Sequence, residues 1–82
     1  MTTVSATKTI TNVEYQTLAS LADITMTSGK SYSIQIQGII GYKVADAAFT
    51  FENRDFTFTQ GTDAVYVKSF GLPATIVVLE NT

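Results

Sequence analysis

The segment that most restricts how this chain folds is residues 31–38, Ser-Tyr-Ser-Ile-Gln-Ile-Gln-Gly, which carries the cleanest two-residue alternation in the sequence. Tyr32, Ile34 and Ile36 fall on one side, and Ser33, Gln35 and Gln37 on the other. A strand turns successive side chains to opposite faces, so this segment predicts a strand with its apolar face on a core. Its polar face then serves as plain solvent surface or as contact with a neighbouring subunit.

The same period recurs along the chain. Residues 8–11 are rich in Thr and Ile and favour a pleated backbone, with Asn12 marking a turn. Residues 14–22 read as a strand followed by a turn, because the Leu-Ala-Ser-Leu-Ala run is too short to nucleate a stable helix alone. Residues 24–27 alternate again, and Ser28-Gly29-Lys30 predicts a tight hairpin into the 31–38 strand. Gly38 and Gly41 indicate a bulge, a bend or close backbone approach. Phe49-Thr50-Phe51 and Phe56-Thr57-Phe58 flank a charged loop, Glu52-Asn53-Arg54-Asp55, and their four phenylalanines are expected to form much of the core with Tyr32, Ile34, Ile36, Val65 and Val67.

After a turn at residues 60–63, residues 64–69 form another strand, and Phe70-Gly71-Leu72-Pro73 breaks it. The last segment, Ala-Thr-Ile-Val-Val-Leu at 74–79, is apolar on nearly both faces. Both faces are therefore expected to be covered, one of them by another subunit through Ile76 and Val78, with Gln35 and Gln37 as further candidate interface residues. The total is about seven or eight short strands with turn signals between them, an all-β chain forming a small antiparallel β-sandwich or barrel. Residues 1–8 read as a flexible N-terminal arm and residues 9–82 as a single β domain.

A chain of 82 residues holds one small core and buries roughly 60–65% of its unfolded surface. It has no cysteine for a disulfide or thiolate metal site and no histidine. Charged residues make up 15%, well below the usual quarter, which suits a subunit packed against neighbours. The net charge of −2 and the scattering of Lys8, Lys30, Lys43, Arg54 and Lys68 offer no field for nucleic acid. No stretch approaches the roughly 18–20 apolar residues of a membrane helix, and no signal-peptide pattern opens the chain, so a soluble product of the cytoplasm is expected.

Catalytic chemistry finds no support in the residues. Without histidine, Ser or Thr lacks its usual base, and Lys30 beside Ser28 and Ser31 reads as a solvated turn residue. Glu52 and Asp55, or Glu14 and Asp23, read as loop charges rather than a glycosidase pair. Asp63 lacks the ligand spacing of a calcium loop, and the glycines fit no phosphate-binding pattern. No catalytic, metal or cofactor site is expected. Tyr15, Tyr32, Tyr42 and Tyr66, with the amides of Gln35 and Gln37, have the chemistry of a carbohydrate-binding module, since rings stack on sugars and amides bond to hydroxyls.

The order of segments from Glu14 onward resembles the small β-rich virion proteins of tailed bacteriophages. The likeness lies in Glu14-Tyr15-Gln16-Thr17-Leu18-Ala19-Ser20-Leu21, Ile24-Thr25-Met26, the Gly29-to-Gly38 stretch, Phe56-Thr57-Phe58-Thr59, Val65-Tyr66-Val67-Lys68 and the apolar C-terminal strand. The resemblance implies a capsid decoration, cement or head-fibre protein, or a small tail or neck component. It further implies a symmetric oligomer, with a homotrimer favoured, made in the host cytoplasm and bound to the major capsid protein in the virion. Thr2, Thr3, Val4, Thr7 and Lys8 are then the candidate capsid-contacting arm.

Overall fold

The computed structural model describes residues 2–81, with side chains described from Thr7 onward. Eight strands and one helical turn follow in the order β1 (Thr2–Ile10), β2 (Gln16–Thr17), α1 (Leu18–Ala22), β3 (Ser31–Gln37), β4 (Ile39–Val44), β5 (Ala47–Glu52), β6 (Asp55–Thr59), β7 (Val65–Ser69) and β8 (Ala74–Asn81). They form two four-stranded antiparallel sheets, β1-β8-β3-β6 and β2-β7-β4-β5. The architecture is the small β-sandwich that the strand periodicity predicts.

β3 occupies the position its alternation demands, between β8 and β6 in the first sheet. Tyr32, Ile34 and Ile36 are buried opposite Glu80, Val78 and Ile76 of β8. The second sheet contributes Ile40, Tyr42, Val65 and Val67 to the same core. Tyr32 is fully buried yet keeps its hydroxyl satisfied, accepting the Thr27 N–H at 2.7 Å and donating to the Glu80 carboxylate at 3.5 Å. A buried phenol without such partners would lose its hydration uncompensated.

Four expectations are corrected. The N-terminal segment is not a free arm: its backbone pairs with β8 from Thr2↔Asn81 to Ile10↔Ala74, with one register shift between Val4 and Ala6. Its Thr and Ile content gives it the pleated backbone of an edge strand, and β8 offers the ladder. Residues 18–22 are helical rather than extended. The Thr17 hydroxyl accepts the Ser20 N–H, Leu18 and Ala22 enter the core one turn apart, and core packing supplies what so short a helix lacks. Asp23, with φ of 56°, ends it.

Residues 24–27 form no strand, so no hairpin precedes β3; the segment is held instead by the Thr27–Tyr32 contact and by Gly29 N–H donating to the Gln60 carbonyl at 2.8 Å. The phenylalanines, finally, are not the centre of the core. Phe51, Phe56 and Phe58 are partly buried and Phe49 is 51% exposed. They surround Tyr42 along the side where edge strands β5 and β6 meet, with ring centres 4.9–6.3 Å from it. Burial there raises the Tyr42 phenol above its ordinary pKa.

Gly38 makes the tight passage from β3 to β4. Its φ of 108° is open to glycine, and a Cβ would stand 3.1 Å from that of Ala74. Asn53 at the β5–β6 turn clasps it, accepting the Gly38 N–H through its side chain at 2.8 Å and donating its own N–H to the Gly38 carbonyl at 3.0 Å.

Candidate functional site

The two outer sheet faces and one end of the sandwich carry the features available to a partner. On the outer face of the first sheet, Gln35 and Gln37 are exposed as solvent-facing residues of β3. Beside them Ser33 shares a hydrogen bond with Thr57 at 2.9 Å, and the Asn81 amide donates to Ser31 and Ser33 at 3.2 and 3.0 Å. This surface is a cross-strand ladder of hydroxyls and amides that satisfies much of its own polarity.

Ile76 and Val78 do not belong to it. Both are 0% exposed inside the chain's own core, so the expectation that they face another subunit is corrected. Ala74, Ile76 and Val78 of β8 point inward, while Thr75, Val77 and Leu79 lie half-buried on the outer face of the first sheet. Of the arm residues, Thr7 and Lys8 are exposed on β1, opposite Val77 and Ile76. Thr2, Thr3 and Val4 have backbone pairing on β8, and their side chains lie outside those described.

The expected carbohydrate surface does not come together as one site. Tyr32 is 0% and Tyr42 7% exposed, so neither offers a ring face. Tyr66 is half-buried in the second sheet, which β2 flanks just after the half-buried Tyr15, whereas Gln35 and Gln37 lie on the first.

Of the exposed large apolar side chains among the described residues, Phe49 stands on edge strand β5, and three gather at the end where β3 passes to β4 and β7 to β8. Ile39, Phe70 and Leu72 are 38%, 49% and 74% exposed there. With Gly38, Glu52 and Pro73 they line a groove of about 290 Å³. The local cause is plain. Gly71 takes a φ of 97°, and Pro73 cannot donate to a ladder, so residues 70–73 leave the sheet and carry their side chains outward. Ser69 anchors the loop's base, its backbone N–H and hydroxyl both donating to the Asn12 carbonyl at 2.6 and 3.0 Å. That bond brings Val13, 61% exposed, to the same end. Exposed apolar side chains grouped in this way mark a contact surface. The signal was present in the sequence, where Phe-Gly-Leu-Pro reads as a strand break whose two large apolar residues have no alternation to place them inside.

Among the described residues no group of three or more acidic, His or Cys side chains is placed to hold a metal ion. Lys30, the candidate turn lysine, forms an ion pair with Glu80 at 3.0 Å. The hydrogen bond to Glu80, and then its charge, raise the ammonium pKa above the ordinary 10.5, the opposite of what a general base requires. No family model, curated protein or solved structure matches the chain.

Proposed function

We propose that this β-sandwich is a structural protein of a tailed-phage particle, a decoration or cement protein that attaches to the major capsid protein and assembles with copies of itself, as a homotrimer. The observation that carries the reading is the apolar end formed by Ile39, Phe70 and Leu72 on a domain with only 15% charged residues. Such a surface favours a permanent protein contact, because removing it from water is worth roughly 25 cal/mol per Å². The exposed, uncharged Gln35 and Gln37 face is the proposed contact between copies, where no charge opposes close approach. No catalytic step forms part of this function.

Genome position gives the first test: a capsid or tail gene beside the coding sequence supports the assignment, and a metabolic operon counts against it. The second is sedimentation of the purified chain with shells of that capsid protein, alongside light scattering of the chain alone. Co-sedimentation at a fixed ratio and an oligomeric mass are expected. A monomer that stays in the supernatant contradicts the proposal. Imaging labelled protein on particles separates a head position from a tail, neck or fibre position.

A further inference from the structure

The outer face of the second sheet groups two lysines with two tyrosines. Tyr66 and Lys43 are paired across β7 and β4, as are Lys68 and Gly41 one step along each strand's outer row. Tyr15 lies beside them because Gly41 has no side chain: a Cβ there would stand 3.1 Å from the Tyr15 hydroxyl and 3.0 Å from Cγ of Lys68. The ring therefore sits between two ammonium groups, Lys68 Nζ at 5.2 Å and Lys43 Nζ at 5.7 Å from its centre.

Neither lysine has a carboxylate within ion-pair distance among the described residues, where the ion pair is Lys30–Glu80. Two like charges beside one ring repel each other, and an anion placed beside them relieves that repulsion. Tyr15, Lys43 and Tyr66, with Ala45, Asp63 and Ala64, line a cleft of about 380 Å³, within the size range of small-ligand sites. Ala45 on its wall holds a φ of 52°, the positive φ that the two-residue turn between the paired Val44 and Ala47 demands.

We infer that this cleft binds an acidic sugar unit of a polysaccharide, with Tyr66 against the sugar ring, Lys43 on its carboxylate and Asp63 accepting from a hydroxyl. The combination selects the ligand class. Aromatic faces accept the apolar face of a sugar ring, and an ammonium pairs with a carboxylate. A carboxylate in the same cleft accepts hydroxyl protons but repels a run of phosphates, as does the chain's net charge of −2. Lys68, 5.2 Å from the Tyr15 ring centre and 4.7 Å from that of Phe70, lies outside the cleft lining and adds only longer-range field. The site is independent of attachment to a capsid.

Calorimetric titration of the full chain with galacturonic acid trisaccharide, against the neutral galactose trisaccharide, tests the site. The acidic sugar is expected to bind at least about tenfold more tightly than the neutral one, and Lys43→Gln to remove most of that preference, a tenfold change being about 1.4 kcal/mol. Lys30→Gln, at the Glu80 ion pair, is expected to leave it unchanged, and Tyr66→Ser to weaken both sugars, with the melting curves of all variants reporting intact folds. Absence of binding, equal affinity for the two sugars, equal loss in Lys30→Gln, or tighter binding of inorganic phosphate or a single-stranded oligonucleotide would overturn the inference.

Discussion

Residues 70–73 and strand β8 are consecutive and similarly apolar, and the fold treats them in opposite ways. Phe70 and Leu72 stand 49% and 74% exposed, while Ile76 and Val78, a few residues on, are wholly enclosed. The difference arises from backbone pairing. β8 is hydrogen-bonded on both edges, to β1 and β3, and its two-residue period sends alternate side chains into the core. The loop has a left-handed glycine and a proline, no ladder, and no face that the core requires. Apolar residues in the paired strand stabilise the domain; in the unpaired loop they are available to a partner. Hydrophobicity alone does not separate those two roles; strand face and place in the sheet do, since Ile39 and Phe49 are paired and yet exposed.

The largest expected effect comes from placing the same kind of substitution in each region. Ile76→Asp leaves an unpaired carboxylate in a desolvated core, a cost comparable with the whole stability of a domain, about 5–15 kcal/mol, so the variant is expected not to fold. Leu72→Asp is expected to change stability by less than about 0.5 kcal/mol. Urea titration followed by circular dichroism measures both, and comparable losses would show that the loop is part of the core.

The boundary between the two regions comes next in size. Gly38 abuts Ala74, the first residue of β8, and its φ of 108° is poorly accessible to other residues. Gly38→Ala is expected to cost about 1–3 kcal/mol, read as a lower denaturation midpoint at unchanged slope. An unchanged midpoint would mean that β3, β4 and β8 meet more loosely than the 3.1 Å approach implies.

The smallest effect belongs to the far end of β8, where Glu80 meets Lys30. The folded state raises the Lys30 pKa through the hydrogen bond and charge of Glu80, so the folded chain holds that proton more firmly than the unfolded one. The contribution is therefore complete below the ordinary value of 10.5 and is lost as pH rises past it through the folded value. Melting temperature against pH is expected to decline in that alkaline window, and Lys30→Met to make the decline shallower. An identical decline in the variant would remove Lys30 as its source.

Most of the architecture was legible because it rests on periodicity. The 31–38 alternation identified the buried row Tyr32, Ile34 and Ile36, and the Val65 and Val67 pair was placed on an inner face by the same rule. The failures share a different cause. The strand reading of residues 18–22 gave way to a helix set by Thr17 capping and by burial of Leu18 and Ala22, which are tertiary facts. The N-terminal segment looked unstructured because its β potential is expressed only against β8. Phe49 looked like core because a phenylalanine is costly to expose, yet β5 is an edge strand. β8 is apolar on both faces, so its period does not say which row turns inward: Ile76 and Val78 do, and Val77 and Leu79 are left half-exposed. The Tyr15–Lys43–Tyr66 cleft was illegible, since it joins residues from three separate segments.

On the proposed function, the domain docks through its apolar end while its stability resides in the enclosed face of β8. Co-sedimentation of the Phe70→Ser/Leu72→Ser double variant with capsid shells tests it most directly, with wild-type chain alongside and thermal melts of both. Wild-type melting and loss of most shell binding are expected. Full binding by a variant that melts like wild type would contradict it.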